Sequence, residues 1–340
     1  RESTKGNCLP DSPNQEAGVQ RRATHRGMMG GSSQTEKINM EKFTAELRDI
    51  QQIKFPIVKA AFKGKDDQIY IGVMMIDTGS VNCILNKSVL PYLNDDAAIE
   101  GKTMKIHSVQ GKGVECQGYS LSFRIGNGVF SDTFYVNKDM DFSQMFNGPF
   151  IGIIGHEFLR NNNIVLDYET ETLHASEGTI EGNPEEYAFF FPMSYGLKQY
   201  NIPVVGLVYG DKEYLMVADS GANDTVITKH LMDDAGICAK HLGDDGTVTC
   251  FTADTLKTAL YDVTLSIISL GGTPESPKLY TQNDKVQVIS NCQHIMEGLK
   301  DTEGNDLMPV SGMLSSNFML KNKWVLDFGT GVMYQRKEIA

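Results

Sequence analysis

Two short acidic turns are the residues in this chain whose types and spacing could do chemistry. Each follows an apolar run, and they read Asp77-Thr78-Gly79-Ser80 and Asp219-Ser220-Gly221-Ala222. A single turn of this kind predicts no more than a bend after a strand. Two carboxylates held a few Å apart cannot both ionise cheaply, so they share a proton. One then acts as a base and the other as an acid, which suits the activation of a water molecule between them.

The two turns belong to an internal repeat. Asp219 lies 142 residues after Asp77, and the same offset pairs residues 84–85 with residues 226–227. Further on, residues 155–168 match residues 315–328 at a larger offset, so the second half carries extra residues, which we expect within 266–305. A tandem duplication of one β-rich unit predicts two lobes related by a pseudo-twofold axis. Such an axis brings equivalent residues together, and it would place Asp77 beside Asp219.

The neighbours of the aspartates suit a supporting role. Gly79 and Gly221 permit close backbone approach and carry no side chain to obstruct a substrate. Thr78 and Ser220 both keep a hydroxyl that could hydrogen-bond across to the opposite lobe. Ala222 lacks the hydroxyl of Ser80, which predicts that only one carboxylate receives a side-chain hydroxyl bond from that position.

On these residues the chain resembles the aspartic proteases of the pepsin and retropepsin superfamily, over roughly residues 55–176 and 200–336. Residues 219–227 are similar to the retroviral protease active-site segment, and residues 151–159 resemble the closing Ile-Ile-Gly and helix motif of that family. Ser220 departs from the usual threonine, and Ser315 stands where the first repeat has Gly155. The resemblance implies an all-β, bilobal pepsin/retropepsin-like acid-protease fold, with two pseudo-twofold-related β-barrel lobes, short helices and a cleft between the lobes.

The resemblance also implies a function. Asp77 and Asp219 would be the catalytic dyad of an endopeptidase that acts on a peptide or protein substrate and needs no metal or other cofactor. Asn223 and Asp224 match polar positions that hold the substrate main chain. A flap is expected over residues 107–114, with Val109, Gln110 and Gly111 as substrate-binding residues at its tip. The tip carries no tyrosine, which favours the retroviral type, and whether residues 250–255 form a second flap stays open.

The chain divides by composition into four parts. Residues 1–45 are polar and predict a disordered arm. Residues 50–176 would form the N-terminal lobe, 177–199 an acidic linker containing Asn183-Pro184, and 200–340 the C-terminal lobe. Strands are expected at 57–58, 69–76 and 121–125, and residues 150–154 form an apolar run with glycines. Trp324 is expected in the core, and Asp167 and Asp327, which follow equivalent strands, are interpreted as structural.

Composition excludes some classes of partner. The net charge is −12, from 31 Lys and Arg against 43 Asp and Glu, which disfavours nucleic acid. No apolar run is long enough to span a bilayer. The six cysteines have no zinc-site spacing, and the sequence leaves their disulfide pairing open. Because both acidic turns lie in one chain, a monomer should suffice. Localisation is not assigned; residues 1–50 hold no apolar signal-peptide core, and a secreted or cell-envelope place is slightly favoured.

Three hypotheses follow from these patterns. The leading one is an aspartic endopeptidase. The second is a catalytically silent, protease-like module that binds a peptide or protein without cleaving it. The third is a self-processing precursor whose arm, residues 1–45, blocks the cleft.

Overall fold

A computed structural model describes residues 43–107, 113–138, 141, 143, 146, 148–180, 182–193, 202–249, 255–273, 276–290, 292, 295 and 309–337. The strands of the first half are β1 (Thr44–Glu46), β2 (Ile57–Lys63), β3 (Ile69–Asp77), β4 (Cys83–Leu85), β5 (Ala98–His107), β6 (Gly113–Ile125), β7 (Gly128–Val136), β8 (Phe150–Gly155), β9 (Ile164–Asp167) and β10 (Thr172–Ala175). Those of the second half are β11 (Tyr187–Pro192), β12 (Val204–Tyr209), β13 (Lys212–Asp219), β14 (Thr225–Thr228), β15 (Lys240–Thr249), β16 (Thr255–Thr273), β17 (Ser276–Ile289), β18 (Val310–Ser315), β19 (Val325–Asp327) and β20 (Val332–Arg336). The α-helices are α1 (Ile50–Ile53), α2 (His156–Asn161), α3 (Lys229–Asp234) and α4 (Ser316–Lys321), and short 3₁₀ turns cover Lys65–Asp67, Lys87–Tyr92, Asp95–Ala97 and Pro184–Glu186.

Each half of the chain contributes one curled sheet with the same strand order. Within the described residues, the first sheet has seven strands in the order β2-β3-β8-β4-β7-β6-β5, and the second has seven in the order β12-β13-β18-β14-β17-β16-β15. In each, the first strand of that order also pairs with the sixth, β2 with β6 and β12 with β16, which curls the sheet toward a barrel. The all-β, bilobal fold with short helices is therefore confirmed, and it is the architecture that the resemblance to aspartic proteases implied.

A third sheet joins the two halves. Its order is β1-β10-β9-β19-β20-β11. At its centre β9 and β19 pair in antiparallel fashion, with Leu166 directly opposite Leu326. These two leucines hold equivalent positions in the repeat, so the pseudo-twofold axis passes between them. On either side, β10 matches β20 and β1 matches β11.

This shared sheet corrects two sequence predictions. The arm was expected to reach residue 45, but Phe43 and Ala45 are buried and β1 pairs with β10; residues 1–42 lie outside the described residues. The linker was expected over 177–199, but β11 lies within it and pairs with β20. Phe189 and Phe191 are almost fully buried there, and burial of such aromatic side chains is strongly favourable. Each repeat therefore begins with a strand of the shared sheet.

The extra residues of the second half lengthen one hairpin. Strands β16 and β17 have 19 and 14 residues, whereas the matching β6 and β7 have 13 and 9. Part of the predicted insertion, 266–305, is therefore the outer end of this hairpin. Residues 291, 293–294 and 296–308 lie outside the described part of the chain.

The strands that lead to the aspartates are buried on both faces. On β3, Met74 and Ile76 pack into the core shared by both lobes, while Val73 and Met75 face a second cluster with Ile153. Double-sided burial explains why the strand is a continuous apolar run rather than an alternating one. It also makes the carboxyl end of β3 a fixed point from which the first acidic turn begins.

The structure also bears on membrane insertion and on the cysteines. Among the residues that are described, none of the helices combines the length and the apolar character that a bilayer span requires. Among the described residues, Cys83, Cys116 and Cys238 are free thiols.

Candidate active site

The two acidic turns stand at matching places in the two lobes. Asp77 is the last residue of β3 and pairs with Gly155 of the parallel strand β8. Asp219 is the last residue of β13 and pairs with Ser315 of β18. Each aspartate therefore leaves a strand that is hydrogen-bonded along its length, which limits the freedom of the turn that follows.

Backbone N–H groups orient both carboxylates. The amides of Gly79 and Ser80 donate to Oδ1 of Asp77 at 3.0 and 3.1 Å. The amide of Gly221 donates to Oδ1 of Asp219 at 2.8 Å. The Ser80 hydroxyl instead donates to the carbonyl of Asn82 at 2.9 Å. The predicted hydroxyl bond to Asp77 is thus wrong, because the turn directs that side chain along its own backbone; the support comes from amides.

Thr78 and Ser220 make four hydrogen bonds across the lobes, two of them to each other. The Thr78 amide donates to Ser220 Oγ and the Ser220 amide to Thr78 Oγ1, both at 2.9 Å. The Thr78 hydroxyl donates to the Ala218 carbonyl at 2.6 Å, and the Ser220 hydroxyl to the Ile76 carbonyl at 2.7 Å. Both side chains are fully buried. The network fixes each turn against the strand that carries the other aspartate.

We expect the Thr78→Val substitution to destabilise the fold. It keeps the shape but removes the hydroxyl, which leaves the Ser220 amide and the Ala218 carbonyl unpaired in the interior. Two buried unsatisfied groups should lower the free energy of unfolding by about 2–4 kcal/mol. Chemical denaturation monitored by circular dichroism measures this. The control is Thr78→Ser, which keeps the hydroxyl and should cost about 1 kcal/mol or less; equal stability of the two variants would show that the network is not stabilising.

The carboxylates lie against the glycines of the opposite turn. A Cβ built on Gly79 would stand 2.5 Å from Cγ of Asp219, and one built on Gly221 would stand 2.4 Å from Cγ of Asp77. Neither distance is compatible with a real side chain. Each carboxylate therefore fills the space that the partner turn leaves free, and the two acidic groups come within hydrogen-bonding reach of each other.

The pair holds protons more tightly than isolated aspartates do. Burial raises the pKa of Asp77 well above its usual value, and the charge and hydrogen bond of Asp219 raise it further. Burial also raises the pKa of Asp219, against hydrogen bonds from Asp77 and from the amides of Gly221 and Gly79. The two groups titrate as a unit that shares one proton.

Solvent reaches this pair. Asp77 and Asp219 are partly exposed, and Asn223 and Asp224 beyond the second turn are exposed. Val109, Gln110 and Gly111, predicted at the flap tip, lie outside the described residues, as do residues 250–254 of the matching stretch. On the strand that leads to the tip, Met104 accepts a hydrogen bond at 3.1 Å from Asn82, just beyond the first turn.

Two further residues close to the pair were not singled out from the sequence. The Tyr168 hydroxyl hydrogen-bonds to Ser316 Oγ at 3.0 Å, and both residues are buried behind the second turn. The repeat alignment does contain a signal for this, because Tyr168 matches Phe328 and only one of the two carries a hydroxyl.

In the described ranges, His, Cys, Asp and Glu side chains form no group of three or more that could hold an ion. The Asp77–Asp219 pair consists of two carboxyl groups, which are able to accept and to release protons.

Comparison with known proteins gives a likeness among solved structures. No protein-family model matches this chain, and no curated protein matches it. The crystal structure of an aspartic proteinase from Irpex lacteus is similar to it, over 87% of this chain and 98% of that chain, at 11% sequence identity and a TM-score of 0.48.

Proposed function

We propose that this chain is an aspartic endopeptidase in which Asp77 and Asp219 activate one water molecule. The observation that carries the proposal is the reciprocal contact of the two carboxylates with the opposite glycines, because it holds two acids close enough to share a proton. Single aspartates on separate surfaces could not divide acid and base roles at one pH.

The roles follow from the protonation of the pair. The ionised carboxylate of the pair removes a proton from the water as the water oxygen attacks the amide carbon of the substrate. The protonated carboxyl group gives its proton to the carbonyl oxygen, so that a tetrahedral diol forms without a free oxyanion. The carboxyl group that took the water proton then gives it to the amide nitrogen while the other carboxylate takes a proton from a diol hydroxyl, so that the carbon–nitrogen bond breaks, the product carboxyl group forms and the shared-proton state returns. The carboxylates supply every proton transfer, so the proposal requires no cofactor.

The substrate in this proposal is a peptide or a protein. Asn223 and Asp224, exposed beside the second turn, would hold its main chain, and Val109, Gln110 and Gly111 would cover it from the flap. We assign the enzyme to the retroviral type on the likeness of residues 219–227, and to a monomer because one chain supplies both carboxylates.

A peptide library incubated across pH ~3–7, with and without a pepstatin-type inhibitor, tests the proposal. We expect cuts that the inhibitor abolishes. The rate should fall on the alkaline side as the pair loses its shared proton. Because burial raises the pKa of both Asp77 and Asp219, that limb should lie at a higher pH than the titration of a free aspartate, about 3.9.

The same incubation separates the other hypotheses. Peptides that bind without being cut, measured by calorimetry, would support a binding module and reject the peptidase. Mass spectrometry of the incubated protein would detect removal of the N-terminal arm if the chain processes itself.

A further inference from the structure

The two aspartate turns are supported from behind by different side chains. In both, the first amide of the following helix donates to the turn: His156 to the Ser80 carbonyl at 2.9 Å and Ser316 to the Ala222 carbonyl at 2.8 Å. The His156 ring donates from Nδ1 to the same Ser80 carbonyl at 3.0 Å. The Ser316 hydroxyl instead hydrogen-bonds to Tyr168. The second turn is thus linked to a side chain from the other half of the chain.

Tyr168 carries a hydroxyl group that its counterpart in the second half of the chain lacks, although the backbones of the two positions match. It directly follows β9, its amide donates to the Trp324 carbonyl at 3.0 Å, and it is 2% exposed. Its counterpart Phe328 follows β19, and the Phe328 amide donates to the Ile164 carbonyl at 3.1 Å. The backbones therefore match, and the hydroxyl is what distinguishes the two positions.

The phenol of Tyr168 lies close to the acidic pair. Burial raises the pKa of Tyr168, and the charges of Asp219 and Asp77 add to this, against hydrogen bonds with Ser316 and Ser220. The hydroxyl therefore stays protonated over the whole range in which the aspartates titrate. It is a neutral dipole beside Ser220, the residue that follows Asp219.

We infer that Tyr168 and Ser316 are positioning residues for the Asp219 turn. Their hydrogen bond fixes the second turn against the first half of the chain, and thereby sets the separation of the two carboxylates. The inference rests on the proposed function. Neither side chain touches the water or the substrate; they act through the Ala222 carbonyl and Ser220. Because charge interaction depends on distance, a looser turn weakens the sharing of the proton and slows the chemical step.

Tyr168→Phe removes the hydroxyl and keeps the ring, so it tests the inference directly. We expect kcat to fall about tenfold through looser alignment of the carboxylates, with KM within about twofold of wild type. The alkaline limb of the pH profile should move to lower pH, because carboxylates that lie farther apart repel less and release the shared proton more easily. Ser316→Ala, which keeps the amide, should behave alike. The double variant should be no slower than either single variant, since one hydrogen bond is lost in all three.

Tyr280→Phe is the matched control. Tyr280 is also buried, but it packs with Phe189 and Trp324, so its variant should keep the wild-type kcat and pH profile. Wild-type kcat and an unmoved alkaline limb in Tyr168→Phe would overturn the inference and leave the peptidase proposal intact, even if the free energy of unfolding fell. A kcat of the double variant that falls by the product of the two single losses would also overturn the inference, because it would show that Tyr168 and Ser316 act independently. A wild-type protein without inhibitor-sensitive cleavage would remove the proposed function and the inference with it.

Discussion

Asp77→Asn and Asp219→Asn should each lower kcat/KM at least about 10⁴-fold, which is the scale expected when a group essential to proton transfer is removed. An amide has the shape of a carboxyl but neither accepts nor releases the proton that the mechanism moves. Loss of either member also abolishes the shared-proton state. Steady-state hydrolysis of a peptide from the library, at the pH of highest wild-type activity, measures the effect.

The same two variants should remain folded. The Oδ1 atoms of Asp77 and Asp219 accept backbone amides, and an asparagine oxygen can take over those bonds. Removal of one of two facing acids also removes their repulsion. We therefore expect the free energy of unfolding to stay within about 1 kcal/mol of wild type. Asp262→Asn, at an exposed position of β16, is the control for loss of one carboxylate and should keep full activity.

Activity that persists in both dyad variants would reject the dyad. Retained peptide binding with loss of cleavage would, in contrast, support it, because binding does not require proton transfer. The binding-module hypothesis makes the opposite prediction, namely that the wild type and both variants bind alike and that none of them cleaves.

The sequence could predict the sheets and the pairing of the acidic turns because both depend on repeated patterns. Apolar runs before Asp77 and Asp219 predict buried strands, and a repeat of such runs predicts two lobes. The closing segments 155–168 and 315–328 fix the helices α2 and α4 in the same way. In each case many residues repeat the same pattern, so the two halves can be aligned from the sequence alone.

The sequence could not predict the shared sheet, because its strands gain their stability from remote partners. β1 has three residues, and its burial depends on pairing with β10, more than a hundred residues later. β11 follows an acidic stretch that is typical of a linker, and Phe189 becomes buried by stacking on Trp324 at 4.2 Å between ring centroids. Local composition contains neither contact.

The hydrogen-bond partners of the hydroxyl groups near the acidic pair could not be predicted from the sequence either. The Ser80 hydroxyl donates to the carbonyl of Asn82, two residues ahead. The geometry of the turn determines this partner, and the residue type alone does not. Tyr168 and Ser316 are separated by 148 positions in the sequence. They come into contact because the pseudo-twofold arrangement places the end of β9 behind the Asp219 turn. The sequence does show that Tyr168 and Phe328 differ by one hydroxyl group. That difference points to a hydrogen bond once the two positions are recognised as equivalent.

Gly79→Ala and Gly221→Ala should nearly abolish cleavage. Neither glycine has the left-handed backbone that a side chain resists, so the added methyl group is the whole perturbation. That methyl would stand about 2.5 Å from the opposite carboxylate, at Gly79 from Asp219 and at Gly221 from Asp77. One of the two must move, and a displacement near 1 Å at a reacting group costs about 10²-fold or more in rate. Crowding should also cost about 1–3 kcal/mol of unfolding free energy.

A second substitution can show that the carboxylate itself is what the methyl group meets. In an Asp219→Ala background the space opposite Gly79 is free, so Gly79→Ala should cost clearly less stability there than in the wild-type chain. Gly243→Ala is the control, because a Cβ at Gly243 meets nothing within 4 Å, and it should leave cleavage and stability unchanged. Equal costs of Gly79→Ala in both backgrounds would mean that the methyl group clashes elsewhere. The close approach of turn and carboxylate, on which the shared proton depends, would then no longer be supported.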